Sequence, residues 1–143
     1  MKKIKNYNPL VTVYITNFNY EKYIGVSISS VLNQSYDNFE LIIIDDGSTD
    51  NSKKIIETFE DSRIVKKIFN NNIGLNKSNN IAIKHAKGSY IIRLDADDFF
   101  QKNALKIFVD HIRKNKKSSL IYPDYYIINE NGFRLSRVKR ENF

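Results

Sequence analysis

The run Phe39-Glu40-Leu41-Ile42-Ile43-Ile44 constrains this chain more than any other stretch. Four consecutive apolar residues leave a strand no polar face, so it must be covered on both sides. Continuous apolar strands of this kind belong to parallel sheets layered between helices, whereas a half-exposed antiparallel strand alternates. The run stops at Asp45-Asp46-Gly47-Ser48-Thr49-Asp50. Gly47 permits a sharp turn there, and Ser48 or Thr49 is expected to cap a helix carrying Ile55, Ile56 and Phe59.

The same alternation runs from residue 10 to 115. Leu10 to Ile15 is a strand by composition, entered at Pro9 and followed by the polar loop Thr16-Asn17-Phe18-Asn19-Tyr20. Asn17 or Asn19 is expected to cap the next helix, which shows an apolar stripe at Ile24, Ile28 and Val31. A third strand is expected over 64–69. Leu75, Ser78, Ala82 and Ala86 then form a helix face of mostly small residues, stopped by Lys87-Gly88. Tyr90 to Leu94 is a further strand, and Leu105, Phe108, Val109 and Ile112 mark another amphipathic helix. Leu120 to Tyr122 and Tyr125 to Ile128 read as strand, with Asn129-Glu130-Asn131-Gly132 as a hairpin turn. Alternating strands and helices predict an α/β fold with a mainly parallel sheet.

In such folds ligands bind beyond the carboxyl ends of the strands, and that is where the polar residues fall. Thr16 and Asn17 end the first strand, Asp45 and Asp46 the second, and Asp95, Asp97 and Asp98 the fourth. Three carboxylates within four positions repel one another unless a cation or hydrogen bonds compensate, and hard divalent cations take oxygen ligands. No Gly-x-Gly-x-x-Gly follows the first strand and no Gly-x-x-x-x-Gly-Lys-Ser/Thr occurs, which argues against a dinucleotide site or a P-loop. An acidic edge holding a metal can instead bind a diphosphate, with the cation bridging carboxylate and phosphate oxygens. A receiver-type signalling pocket would need acids after the first and third strands, where this chain has Thr16-Asn17 and Asn70-Asn71. His85 and His111 lie in expected helices and read as structural or exposed, and Tyr122, Tyr125, Tyr126, Phe99 and Phe100 read as packing residues.

The length of 143 residues suits one domain, and 41% hydrophobic residues suffice for a core. No apolar run approaches the ~20 residues that cross a bilayer. The basic opening, Met1 to Asn6, is not followed by the apolar segment of a signal peptide. The absence of Cys excludes thiolate ligands and fits a reducing compartment, so a cytoplasmic location is expected. The net charge of +7 is uneven: from Lys102 onward ten Lys and Arg face four Asp and Glu, a net +6. That basic part suggests contact with an anionic membrane at its inner face, and no nucleic-acid partner is expected.

Five segments in order carry a family resemblance. They are Val11 to Asn19, Ser30 to Tyr36, Phe39 to Asp50, Asn72-Ile73-Gly74 and Leu94 to Asp98. Together they resemble the N-terminal half of family 2 glycosyltransferases of the GT-A fold, a Rossmann-like αβα sandwich, over nearly the whole chain. The resemblance implies metal-dependent transfer of a sugar from a nucleotide-diphosphate sugar, with inversion, to a glycan or lipid-linked acceptor in cell-surface polysaccharide synthesis. It places Thr16 and Asn17 by the nucleotide, Asp46 on the uracil or equivalent base, Asp95 near the ribose or sugar, Asp97 as ligand to Mn²⁺ or Mg²⁺ with Asp95 beside it, and Asp98 on the donor sugar. Family members often carry Arg where this chain has Asn79, with Lys77 nearby. The family's general base is an acid in a later, acceptor-binding segment. Residues 1–143 are therefore expected to form a single donor-binding domain that ends before that segment, with Asp124 a poor substitute for the base. The alternative reading is a nucleotide-sugar-binding module without catalysis.

Overall fold

The computed structural model describes residues 7–115 and 120–140; the basic opening at 1–6 and the end of the chain at 141–143 lie outside them. The chain divides into two compact units, the first through Asp110 and the second from His111.

The first unit is built on four parallel strands. They are β1 (Val11–Asn17), β2 (Phe39–Asp45), β3 (Ile64–Ile68) and β4 (Tyr90–Asp95), in the spatial order β3-β2-β1-β4. Helices α1 (Ile24–Leu32), α2 (Ser52–Glu57) and α3 (Leu75–His85) connect them, and α4 (Ala104–Lys114) begins in this unit. Every residue of β2 is buried, as its unbroken apolar run requires. Side-chain alternation sends Val11, Val13, Ile15, Leu41, Ile43 and Leu94 to one face, where they pack with Ile24, Ile28 and Val31 of α1, Ile56 of α2, and Leu105 and Val109 of α4. Tyr14, Ile42 and Ile44 point to the other face, against Ala82 of α3. The small residues Ser78 and Ala82 are the buried positions of α3. Leu75, expected on that face, opens the helix and is half exposed.

A buried polar knot closes the amino-terminal edge of the sheet. The Glu40 carboxylate accepts from the Thr12 hydroxyl and the Lys87 N–H, both at 2.6 Å, and the Gly88 N–H donates to Thr12 Oγ1 at 2.9 Å. A Cβ at Gly88 would lie 2.5 Å from the Thr12 nitrogen, so only glycine allows β4 to enter beside β1 here.

Two expected caps are not formed. Asn19 adopts a left-handed backbone (φ 61°) and its side chain accepts from the Thr49 N–H at 2.8 Å, while α1 starts later, at Ile24, behind Tyr23 without a side-chain cap. Ser48 and Thr49 precede α2 by too much to cap it; Asp50 accepts the Ser52 N–H instead, at 2.9 Å. Asn19, Ser48 and Thr49 spend their polar groups between the two loops rather than on the helices that follow.

The second unit contains the antiparallel hairpin β5 (Tyr125–Ile128) and β6 (Arg134–Val138), turned at Asn129 to Gly132 as expected. Leu120 to Tyr122, expected as strand, is not one. Pro123 lacks an N–H and restricts Tyr122, so pairing starts only at Tyr125. Among the described residues, no helix is long and apolar enough to cross a membrane.

Candidate functional site

Strand order reverses between β1 and β4: β2 and β3 lie to one side of β1 and β4 to the other. That reversal opens the crevice in which ligands of such sheets sit. Thr16 is the register partner of Asp95 there, and Tyr14 that of Arg93. All four point to the α3 face, the same face as Ile42 and Ile44.

Asn17 and Asp45 point to the opposite face and are fully buried. Asn17 Nδ2 donates to Asp45 at 2.8 Å and meets Ser48 Oγ at 3.0 Å. Asp45 also accepts from the Ser48 N–H at 3.0 Å and the Ser48 hydroxyl at 2.7 Å. With 1% exposure, Asn17 has almost no surface to offer a ligand. It ties the loop after β1 to the loop after β2. Asn19 and Glu21 extend that tie: Glu21 accepts from the Asn51 backbone N–H at 2.7 Å and side-chain amide at 2.9 Å, and the Glu21 N–H donates to Asp50 at 2.9 Å.

Asp46 does a parallel job one loop further. Its two oxygens accept the N–H groups of Ile73 at 2.7 Å and Gly74 at 3.0 Å, just ahead of α3. A carboxylate at this helix start also meets its positive end. Gly47 (φ 75°) lets the two loops touch, since a Cβ there would lie 2.4 Å from the Asn71 carbonyl carbon. Asp46 is 4% exposed, and both its oxygens are engaged by that loop.

The acidic loop is the exposed part. Asp95 forms an ion pair with Arg93 at 2.5 Å, both side chains in solvent. The Asp98 N–H turns back to the Asp95 carbonyl at 3.0 Å, which gathers Asp95, Asp97 and Asp98 around one turn. Although Asp98 is exposed as a residue, desolvation of its carboxyl pushes its pKa up from the ordinary range, and the charges of Asp97 and Asp95 add to the rise. Burial likewise raises the Tyr14 phenol; Arg93 opposes that rise and Asp95 adds to it.

Do these residues suit a divalent metal? Among the described residues, no cluster of three or more His, Cys, Asp or Glu forms a protein cage. One acid of the trio, Asp95, is already paired with Arg93. The donors left are the hard oxygens of Asp97 and Asp98. Mg²⁺-like ions are usually held by one or two carboxylates plus substrate phosphates, not by an all-protein cage. The donor set fits an ion of that kind arriving with a diphosphate.

The structure therefore brings Thr16, Asp46, Asp95, Asp97 and Asp98 to one end of the sheet and separates Asn17 from them by face. Sequence reasoning missed Arg93, whose i, i+2 spacing from Asp95 on a strand was the available signal. It also missed Asn19 and Glu21, whose roles come from a neighbouring loop. An open depression of about 550 Å³ lies between Asn19–Tyr23 and Thr49–Asp50. It contains none of the expected site residues, and its Glu21 and Asp50 carboxylates already serve N–H groups. Asp124, in the second unit, accepts from the Arg140 N–H at 2.9 Å and from Arg137 at 2.7 Å, which hold its pKa below the usual range and make it a weak base.

The sequence pattern of Glycosyl transferase family 2 matches residues 12–142. A UDP-Glc:alpha-D-GlcNAc-diphosphoundecaprenol beta-1,3-glucosyltransferase of Escherichia coli, WfgD, is 40% identical over 86% of this chain and 48% of its own length. The chondroitin synthase of Escherichia coli is 35% identical over 90% of this chain and 19% of its own. The structure of S. aureus TarS 1-349 in complex with UDP-GlcNAc superposes with a TM-score of 0.70 at 29% identity, over 74% of this chain and 32% of that one. The chain thus spans half or less of the length of these proteins. Its first unit has the α/β architecture of the GT-A glycosyltransferases.

Proposed function

The chain belongs to glycosyltransferase family 2, and from that premise we propose that it binds a nucleotide-diphosphate sugar at the β1/β4 crevice for an inverting transfer. One observation carries the reading: Thr16 pairs with Asp95 at the strand-order reversal, with Asp97 and Asp98 on the loop that follows. The base and ribose lie between Thr16, Asp46 and Asp95 in this reading. Asp97 is the metal ligand, with Asp95 beside it, and Asp98 contacts the donor sugar. When bound, Mn²⁺ or Mg²⁺ supplies Lewis-acid stabilisation of the charge that grows on the departing diphosphate. Arg93 provides a second positive charge, paired with Asp95 and four residues before Asp97, within the same field. The acceptor is a glycan or a lipid-linked saccharide. The basic second unit, with Arg134 and Arg137 on its hairpin and Arg140 just after it, is the part we assign to an anionic membrane face.

Calorimetric titration with UDP in the presence and absence of Mn²⁺ tests the reading. Metal and nucleotide are expected to bind together and each weakly alone, because the protein contributes only part of the coordination shell. Asp97→Asn is expected to weaken Mn²⁺-dependent UDP binding by about tenfold or more without lowering the melting temperature. Unchanged affinity in that variant would overturn the metal-ligand assignment.

A further inference from the structure

The acidic loop does not hold itself together. Between β4 and α4 the chain runs for eight residues without regular structure, from Ala96 to Asn103. Three like charges at its start favour spreading apart. What opposes this is a row of polar side chains along α1 and just after it. Ser27, fully buried, donates to the Asp95 carbonyl at 3.3 Å. One turn on, Ser30 Oγ accepts the Phe100 N–H at 3.0 Å while its hydroxyl donates to the Ser27 carbonyl at 2.7 Å. A further turn on, Gln34, 5% exposed, uses both ends of its amide. Nε2 donates to the Gln101 carbonyl at 2.8 Å and to Ser30 at 2.9 Å, and Oε1 accepts the Leu105 N–H at 3.0 Å. Ser35 completes the row, with its N–H on the Lys102 carbonyl at 2.9 Å and its hydroxyl on Asn103 at 2.7 Å.

Positions 27, 30 and 34 follow the three- and four-residue steps of a helix face. The hydroxyls and the amide replace the apolar residues that such a face would carry, so burial alone does not explain them. Each reaches a backbone group within the loop or at its edge, and none of these bonds reaches Asp97 or Asp98. The loop is fastened before the acids, at Asp95, and after them, at Phe100, Gln101 and Leu105. Between those two fastenings Asp97, Asp98 and Phe99 are exposed.

We infer that Ser27, Ser30 and Gln34 are positioning residues for the acidic loop, holding Asp97 and Asp98 in register for a metal-bound diphosphate that the three residues never touch. This inference rests on the binding reading above. Outer partners that orient ligating groups typically contribute about 10–100-fold to metal affinity, and buried amides that bridge two segments cannot be replaced by water without opening the gap.

The test combines two independent readouts on Gln34→Ala, Ser30→Ala and Ser30→Thr. Tyr36→Phe serves as the control, because it removes a buried hydrogen bond to Pro9 at the other end of the sheet. The first readout is affinity for UDP with Mn²⁺. Gln34→Ala and Ser30→Ala are expected to lose about tenfold or more, Ser30→Thr to recover most of it, and Tyr36→Phe to bind normally at a comparable melting temperature. The second readout is hydrogen exchange without any ligand: protection at Phe100 and Leu105 should fall in Gln34→Ala while the amides of β1 and β2 keep theirs. An affinity loss no greater than that of Tyr36→Phe would overturn the inference. If the parent chain binds no UDP with Mn²⁺, the binding reading falls, and unchanged exchange at Phe100 and Leu105 would separately remove the positioning role.

Discussion

Replacing Asp46 by Asn changes one atom in a buried hydrogen-bond pair. The carboxylate accepts Ile73 N–H at 2.7 Å and Gly74 N–H at 3.0 Å, one on each oxygen. The amide keeps one oxygen and turns an NH₂ toward the other N–H, so donor faces donor. A hydrogen bond to a charged group contributes about 1.5–3 kcal/mol net. One bond is lost and the other becomes neutral, which together removes about 2–4 kcal/mol. Ile73 and Gly74 are only half buried, and water that reaches their N–H groups holds the loss toward the lower figure. Against a domain stability of about 5–15 kcal/mol, the change is large but leaves the chain folded. Urea denaturation should show a lower midpoint with an unchanged slope. Hydrogen exchange should quicken at Ile73 and Gly74 before it does in β2. A loss under about 1 kcal/mol, outside the range for such bonds, would refute the claim that Asp46 holds this loop. Asp46 would then be spared mainly for ligand contact.

Two further outcomes concern charge. Hydrogen bonds from Arg63, first from its side chain and then from its N–H, lower the Asp61 pKa from 3.8 to about 2. The folded value lies below the unfolded one, so the stabilisation is complete above pH ~4 and disappears as pH falls to about 2. Solvent around the pair limits it to about 1 kcal/mol, and Asp61→Asn should therefore lower stability at pH 7 but not at pH 2, as read by thermal melts across pH. The second unit should co-sediment with anionic vesicles at low salt and be released as salt is raised, with neutral vesicles bound less; equal binding to both would refute the membrane assignment.

Much of the site was legible as strand ends. Continuous apolar runs identify buried parallel strands, and the polar residues that interrupt them must fall at their carboxyl edge, which located Thr16, Asp46 and Asp95–Asp98 in one dimension. Spacing could not say which neighbour a polar loop would choose. Asn19, Ser48 and Thr49 look like caps in sequence because local side-chain-to-backbone bonds are the nearest option, yet strand pairing at Asn17 and Asp45 brings their two loops together and makes the longer-range bonds available. Gln34 and Ser30 look like ordinary residues at a helix end, and their partners lie about 70 residues away.

Periodicity is a property of consecutive residues, so the α/β class, the parallel sheet and the acidic strand end can be read along the chain. Which of the acids are already engaged follows from the fold. Strand parity turns Asp45 inward to Asn17 and Ser48, Asp46 is occupied by two N–H groups, Asp95 meets Arg93, and Asp97 and Asp98 stay exposed as residues, with the Asp98 carboxyl partly desolvated. Whether a carboxylate can take a ligand depends on who else is within hydrogen-bonding distance, and that is settled by chain segments far apart in sequence.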